Sequence, residues 1–355
     1  MTAPMREPAQ QASSTSNADG SGPPVAFLGM APQWVPLLFD EAAAVRLSAL
    51  ARVDLNTVLR GPARDWPQPS LSEAEVLLTC WGAPRLDASA LAALPRLRAV
   101  IHAAGSVKAI VTDECRDRGI RISSGAAANA LPVAEYTVAM ILLANKRTLW
   151  MARRYRELRS AWRSSEIPHD VGNYERTVGI VGASRIGRRV IELLRPFDLR
   201  VLLADPYVDA QEAQRLGVEL LDLDALCERS DIVSLHAPAL PGTRAMMNRR
   251  RLAAMRDGAT LINTARGALI DNAALVRELC TGRIHAVLDT ADPELLIDES
   301  PLHELPNVLL TPHIAGSLGN ELRRMGRSAL DELARYAAGE PFAFEVRYAD
   351  LERSA

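Results

Sequence analysis

Short apolar runs alternate with helical stretches along most of this chain, and that alternation narrows the folds open to it. VAFLGM (25–30), VLLTCW (76–81), LRAVIHAA (97–104) and IRISS (120–124) read as strands. Helical segments such as EAAAVRLSALAR (41–52) and SVKAIVTDECRDRG (106–119) lie between them. The pattern then restarts with VGIVG (178–182), LRVLLAD (199–205), DIVSLHAP (231–238), GATLINTA (258–265) and AVLDT (286–290). Strands that alternate with helices imply parallel sheets covered on both faces. Two α/β units follow, at about residues 25–130 and 130–314. Ala315 to Gly339 reads as one more amphipathic helix, with Leu318, Leu322, Met325, Ala329, Leu330, Leu333 and Ala337 at helical spacing. It follows the second unit and is free to return to the first.

The 355 residues suffice for two domains with real cores. With 41 basic and 43 acidic residues the formal net charge is -2, which gives no support for a nucleic-acid or membrane-surface partner. Cys80, Cys115, Cys227 and Cys280 form no C-x-x-C pair, so neither a metal site nor a disulfide framework is suggested. Free thiols fit a reducing, cytoplasmic compartment. Residues 1–24 are rich in Ser, Ala, Gln, Pro and Gly, and are expected to form a disordered tail rather than a secretory signal. The apolar run Val138–Ala144 is too short to span a bilayer; it reads as part of a buried helix, LPVAEYTVAMILLANKR, at a domain or subunit interface.

One stretch combines strand, turn and helix: TVGIVGASRIGRRVIELL. GASRIG nearly matches G-x-G-x-x-G, with Ser184 in place of the second glycine. A dinucleotide site needs a strand, a tight glycine turn and a helix whose N-terminus faces the pyrophosphate. Gly182 suits the turn, and Gly187 suits close helix–strand packing. Ile186, Val190, Leu193 and Leu194 line one helix face, and Pro196 follows. A second glycine keeps a Cβ away from the pyrophosphate. Serine fits there if residue 184 has negative φ, and its hydroxyl suits a phosphate oxygen. The next strand ends at Asp205, where a carboxylate accepts ribose hydroxyls and repels a 2′-phosphate, favouring NAD over NADP. The plainer alternative is that Asp205-Pro206 is only a turn.

Three more strand ends carry polar side chains: NTARGALID (263–271), AVLDTADPE (286–294) and TPHIAGS (311–317). Ligands of open α/β sheets sit at such ends. The Arg266 guanidinium suits bidentate capture of a carboxylate. A carboxylate such as Glu294, bonded to one ring nitrogen of His313, would fix the tautomer and leave the other nitrogen to trade a proton. Singly, each has a bland reading: a surface arginine, a solvated acidic loop, a loop cap. Together, with a nicotinamide, they make a hydride-transfer site for a 2-oxo or 2-hydroxy acid.

In order and spacing, GASRIG, Asp205, SLHAP, INTARG, LDTADPE and TPHIAG resemble the D-isomer-specific 2-hydroxyacid dehydrogenase family, and the likeness covers nearly the whole chain after the tail. The resemblance implies two Rossmann-like domains, parallel sheets flanked by helices, with an active-site cleft between them. It implies a substrate-binding, flavodoxin-like domain of residues 25–129 plus 315–350 and an NAD-binding domain of residues 130–314. Arg266 then orients substrate, Glu294 partners the histidine and His313 is the acid/base. Arg185 and Ile186 take pyrophosphate-loop positions, Thr264 and Ala265 lie near the nicotinamide, Asp289 binds the nicotinamide end, and Gly316 joins the cofactor contacts. Ala104, Gly105 and Ser106 fall in the substrate-carboxylate loop, where backbone N–H groups suit an anion; an ordinary strand-to-helix turn is the alternative there. The resemblance further implies a homodimer through the NAD-binding domains, with LPVAEYTVAMILL as the interface helix.

Departures accompany the likeness. Ser184 replaces a glycine, Leu295 stands where proline is common, and no recognisable regulatory domain is expected after Gly339, which weakens any specific assignment to the phosphoglycerate branch. His236 in SLHAP is expected to be structural or close to the cofactor. The activity expected is NAD-dependent hydride transfer to or from C2 of a small 2-oxo or D-2-hydroxy acid. The alternative is an NAD(H)-sensing binding protein of the corepressor type. A formate-type enzyme fits poorly, because that branch pairs its histidine with glutamine. Substrate choice is expected to rest on TCWGAP (79–84), HAAGSV (102–107) and Trp162.

Overall fold

A computed structural model describes residues 22–67 and 70–351. Most of the expected N-terminal tail, residues 1–21, lies outside the described residues. The described chain divides into two compact units, one of residues 22–125 with 322–348 and one centred on residues 126–321.

The first unit holds a four-stranded sheet in the order β1 (Ala26–Gly29), β2 (Val76–Thr79), β3 (Ala99–His102), β4 (Arg121–Ser124), all parallel. Leu28 also bridges to Val58 in parallel, so the segment at residue 58 borders β1. Each strand falls inside an expected apolar run. The helix Leu322–Ala337 packs on this unit: a side chain at Gly326 would overlap the Leu38 carbonyl. Its buried Glu332 accepts from the Ser123 hydroxyl at 2.7 Å and from the Ala343 and Phe344 amides.

Two helices differ from expectation. SVKAIVTDECRDRG is helical only over Asp113–Asp117. Val107, Ile110 and Val111 are buried as irregular chain, and the Thr112 hydroxyl donates to the Leu86 carbonyl, which sets the turn before the short helix. The last long helix begins at Leu322 rather than Ala315. Residues 315–317 are instead held by Asp289 and Asn129, and therefore stay with the second unit. At the other crossing, the helix Ala126–Asn145 is continuous from residue 126, so the boundary lies at 125/126 rather than 129/130.

The second unit holds seven parallel strands: β5 (Thr177–Val181), β6 (Arg200–Ala204), β7 (Glu219–Leu220), β8 (Ile232–Leu235), β9 (Thr260–Asn263), β10 (His285–Leu288) and β11 (Val308–Leu310). Their order is β11-β10-β9-β8-β5-β6-β7. Side chains of successive strand residues point to opposite faces, and both faces are covered. Val233, Leu261 and Ala286 meet Leu226, Leu252 and Leu275 on one side. Val178, Ile180, Leu203, Ile262 and Val287 meet Ile141, Val190 and Ile191 on the other. This is why the strand sequences are apolar at nearly every position.

The apolar run at 138–144 belongs to a 20-residue helix, Ala126–Asn145. Its length and composition alone would let it cross a membrane. The sequence reading counted only the uninterrupted run and so understated it. Ala134, Ile141 and Ala144 pack into the core beneath the helix Arg185–Leu194.

Candidate active site

The strand order reverses between β5 and β8, and the crevice at their carboxyl ends is where such a sheet takes a ligand. Gly182 follows β5 with φ +98, and a Cβ there would stand 2.8 Å from the Ala237 nitrogen in the loop after β8. A side chain at Gly187 would overlap the Gly182 carbonyl. Both glycines are thus required by the close approach of loop, helix and neighbouring strand. Ser184 is the N-cap of the helix Arg185–Leu194, with φ -63 and ψ 176, a conformation open to any residue. Its hydroxyl accepts from the Gly187 amide at 3.3 Å. The N–H groups of Arg185 and Ile186 have no acceptor among the described residues and face the helix start. This cradle fits a pyrophosphate.

Asp205 ends β6 beside the loop. One carboxylate oxygen accepts from the Ala183 amide at 2.6 Å and the other from the Tyr207 amide at 2.8 Å. Each oxygen keeps lone pairs for ribose hydroxyls. His236 is buried at the end of β8, 2.9 Å from the Ser234 hydroxyl, and burial pushes its imidazole down to about 3. It is therefore neutral and part of the frame.

The chemistry-bearing side chains stand at the ends of β9, β10 and β11. Strand spacing puts β10 roughly 15 Å from β5, a span suited to an extended dinucleotide. Arg266 follows β9; one guanidinium N–H goes to the Ala265 carbonyl at 2.7 Å, and the others have no partner among the described residues. A side chain at Gly267 would overlap the Ala291 backbone, which shows how closely the Arg266 turn abuts the loop carrying Glu294. Glu294 Oε1 lies 2.5 Å from His313 Nδ1, and His313 Nε2 has no partner among the described residues. The pair is about half exposed, at 49% and 54% of side-chain area for His313 and Glu294, and so open to a substrate. His313 has φ 56, uncommon for a residue with a Cβ. A cavity of about 340 Å³ beside the pair is lined by Asp289, Glu294, Leu296, Leu310, Thr311 and His313, among others; Arg266 does not line it.

Asp289 has a structural task that the sequence did not show. Its carboxylate is buried, with Oδ1 accepting from the Thr311 hydroxyl (2.7 Å) and the Ile314 amide (2.8 Å), and Oδ2 from the Ala315 amide (2.9 Å). It braces the loop that carries His313 and also lines the cavity beside it, with a lone pair of Oδ2 left over. Thr264 is buried with its hydroxyl 2.8 Å from that of Thr137, Ala265 donates its amide to Asn263 Oδ1 at 3.1 Å, and Gly316 lies against Asn129. Asn129, Tyr136, Thr137 and Thr311 were missed by the sequence reading. The one available signal was the polar Tyr136-Thr137 step inside an apolar helix.

Ala104, Gly105 and Ser106 belong to the first unit, after β3. Their amides have no acceptor among the described residues, while the Ser124 hydroxyl donates to the Gly105 carbonyl at 2.6 Å. Ser106 Oγ accepts from the Lys108 amide at 3.5 Å. Trp81, in the loop after β2, meets Trp34 edge to face at 5.0 Å.

Comparison with known proteins gives the family. Residues 138–315 match the family described as D-isomer specific 2-hydroxyacid dehydrogenase, NAD binding domain. D-3-phosphoglycerate dehydrogenase of Mycobacterium bovis is 34% identical over 311 residues, covering 86% of this chain and 57% of that protein. Glyoxylate reductase of Thermofilum pendens is 33% identical over 293 residues, covering 78% of this chain and 84% of that one. D-lactate dehydrogenase from Aquifex aeolicus, solved with NAD and lactic acid, shares 28% identity at a TM-score of 0.68, covering 89% of this chain and 96% of that one. The chain belongs to the D-isomer-specific 2-hydroxyacid dehydrogenase family, and its second unit is the NAD-binding domain. It spans little more than half the length of the phosphoglycerate dehydrogenases it matches.

Proposed function

We propose that this protein is an NAD-dependent oxidoreductase acting at C2 of a small 2-oxo acid or D-2-hydroxy acid. The observation that carries the reading is the Glu294–His313 pair, with a free imidazole nitrogen at a strand end of an NAD-binding sheet. Bound NADH supplies the hydride that C2 accepts. Arg266 holds the substrate carboxylate and polarises the neighbouring carbonyl. His313 gives its Nε2 proton to the carbonyl oxygen as that oxygen becomes a hydroxyl, while Glu294 keeps the Nδ1 proton in place. In the oxidative direction the same nitrogen takes the proton back. Asp205 supports NAD over NADP, because its carboxylate would face a 2′-phosphate. In the first unit, the open amides of Ala104, Gly105 and Ser106 support an anion-binding loop.

We further infer a homodimer. Leu131, Leu142 and Leu143 of the helix Ala126–Asn145 lie on its outward side and are only partly buried, leaving apolar surface to cover. Sedimentation at micromolar concentration should give a dimer; a monomer would contradict it. The sensing alternative gains no support from the enzymes compared above. The functional reading is tested by NADH oxidation against a panel of 2-oxo acids, repeated with NADPH. At least one acid should be reduced to its D-2-hydroxy product, faster with NADH. A panel with no turnover would overturn the reading.

A further inference from the structure

The helix Ala126–Asn145 sends two adjacent side chains to the two loops that carry the polar chemistry. Tyr136 Oη lies 3.1 Å from Thr311 Oγ1, two residues before His313. Thr137 Oγ1 lies 2.8 Å from Thr264 Oγ1, two residues before Arg266. Counting protons fixes the direction of both contacts, since a hydroxyl has one proton to give. Thr311 gives its proton to Asp289 Oδ1 at 2.7 Å, so Tyr136 must be the donor to Thr311. Thr137 gives its proton to the Val133 carbonyl at 2.7 Å, so Thr264 donates to Thr137.

We propose that Tyr136 is a positioning residue for His313, acting through the directed chain Tyr136–Thr311–Asp289. This rests on the reading of His313 as the acid/base. Asp289 Oδ1 and Oδ2 accept the Ile314 and Ala315 amides, and the His313 amide donates to the Asp289 carbonyl at 3.0 Å. These bonds fix the three peptides around a histidine at φ 56, a conformation that persists only where its surroundings over-determine it. Losing the Tyr136 proton leaves Thr311 less polarised and free to rotate, which weakens its bond to Asp289 and loosens the loop that aims the imidazole. Burial pushes the Tyr136 phenol above its ordinary value, so it stays a donor at neutral and mildly alkaline pH.

The test compares the intact protein with Tyr136→Phe, which keeps the ring, and Thr311→Val, which removes the middle of the chain. Amide hydrogen exchange of residues 313–315 is measured without substrate; kcat and the NADH dissociation constant are measured alongside. In Tyr136→Phe, exchange should rise and kcat should fall, each by about fivefold to tenfold, with NADH binding unchanged within about twofold. The double variant should be no worse than Thr311→Val alone, because both break one chain. Unchanged exchange in Tyr136→Phe overturns the proposal, as does a parallel loss of kcat, NADH affinity and thermal stability, which marks a general packing role. Should Thr311→Val not fold, Tyr136→Phe alone decides. A wild type inactive on every 2-oxo acid would defeat the functional reading, and the exchange measurement would still decide the positioning.

Discussion

Replacing Ser184 probes how this chain manages a dinucleotide loop with one glycine fewer. At φ -63 the position has no need of glycine, so Ser184→Gly relieves no strain. What it removes is an N-cap bond to the Gly187 amide at 3.3 Å, a long one. Loss of a serine cap costs about 1 kcal/mol when alanine replaces it and a few tenths when glycine does. The open amides of Arg185 and Ile186, which form the anion site, are untouched by either change. Urea unfolding should therefore show Ser184→Ala destabilised by about 1 kcal/mol and Ser184→Gly by less than about half of that. NADH fluorescence titration should show both binding within about threefold of wild type. A more than tenfold loss of NADH affinity in either variant would refute the argument, because it would make the hydroxyl a phosphate ligand rather than a cap.

Two other expectations follow from burial and close packing. Burial pushes His102 down to about 4 and His236 down to about 3, so both are neutral in the folded protein near pH 5, whereas the unfolded chain takes up protons below about 6.5. The unfolded state then binds more protons, so stability is complete above about pH 6.5 and falls as pH drops toward 4, by about 2 kcal/mol per histidine at pH 5. Urea midpoints at pH 7.5 and pH 5 check this; replacing His102 by Asn should remove its share, about 2 kcal/mol of the loss at pH 5, while His236 and the likewise depressed His285 keep theirs, and an unaltered slope would contradict it. Gly187→Ala drives a methyl into the Gly182 carbonyl and should lower unfolding stability by about 2 kcal/mol or more, with a wild-type midpoint as the contrary result.

Much of the architecture was legible because strands covered on both faces must be apolar at nearly every position. VGIVG, DIVSLHAP and GATLINTA therefore announced β5, β8 and β9. β7 escaped notice because Glu219–Leu220 is only two residues at a sheet edge and needs no apolar run. SVKAIVTDECRDRG misled because Val107, Ile110 and Val111 are spaced as on a helix but are buried as irregular chain. Arg266, Glu294 and His313 were visible as polar residues at successive strand ends. The work of Asp289 was not, since its partners lie 22 to 26 residues downstream and are mostly backbone amides. Tyr136 and Thr137 were hidden for a related reason: periodicity shows which helix face is buried, but not that it meets loops 175 and 127 residues away.

The central claim is that His313, held by Glu294, moves the proton while NADH is bound elsewhere on the same sheet. It is tested most directly by His313→Ala, measuring turnover of the best 2-oxo acid and NADH affinity on one preparation. Loss of a general acid should lower kcat on the order of a hundredfold to ten-thousandfold, with the NADH dissociation constant unchanged within about twofold. Turnover close to wild type, with the same acid and intact protein, would contradict the claim.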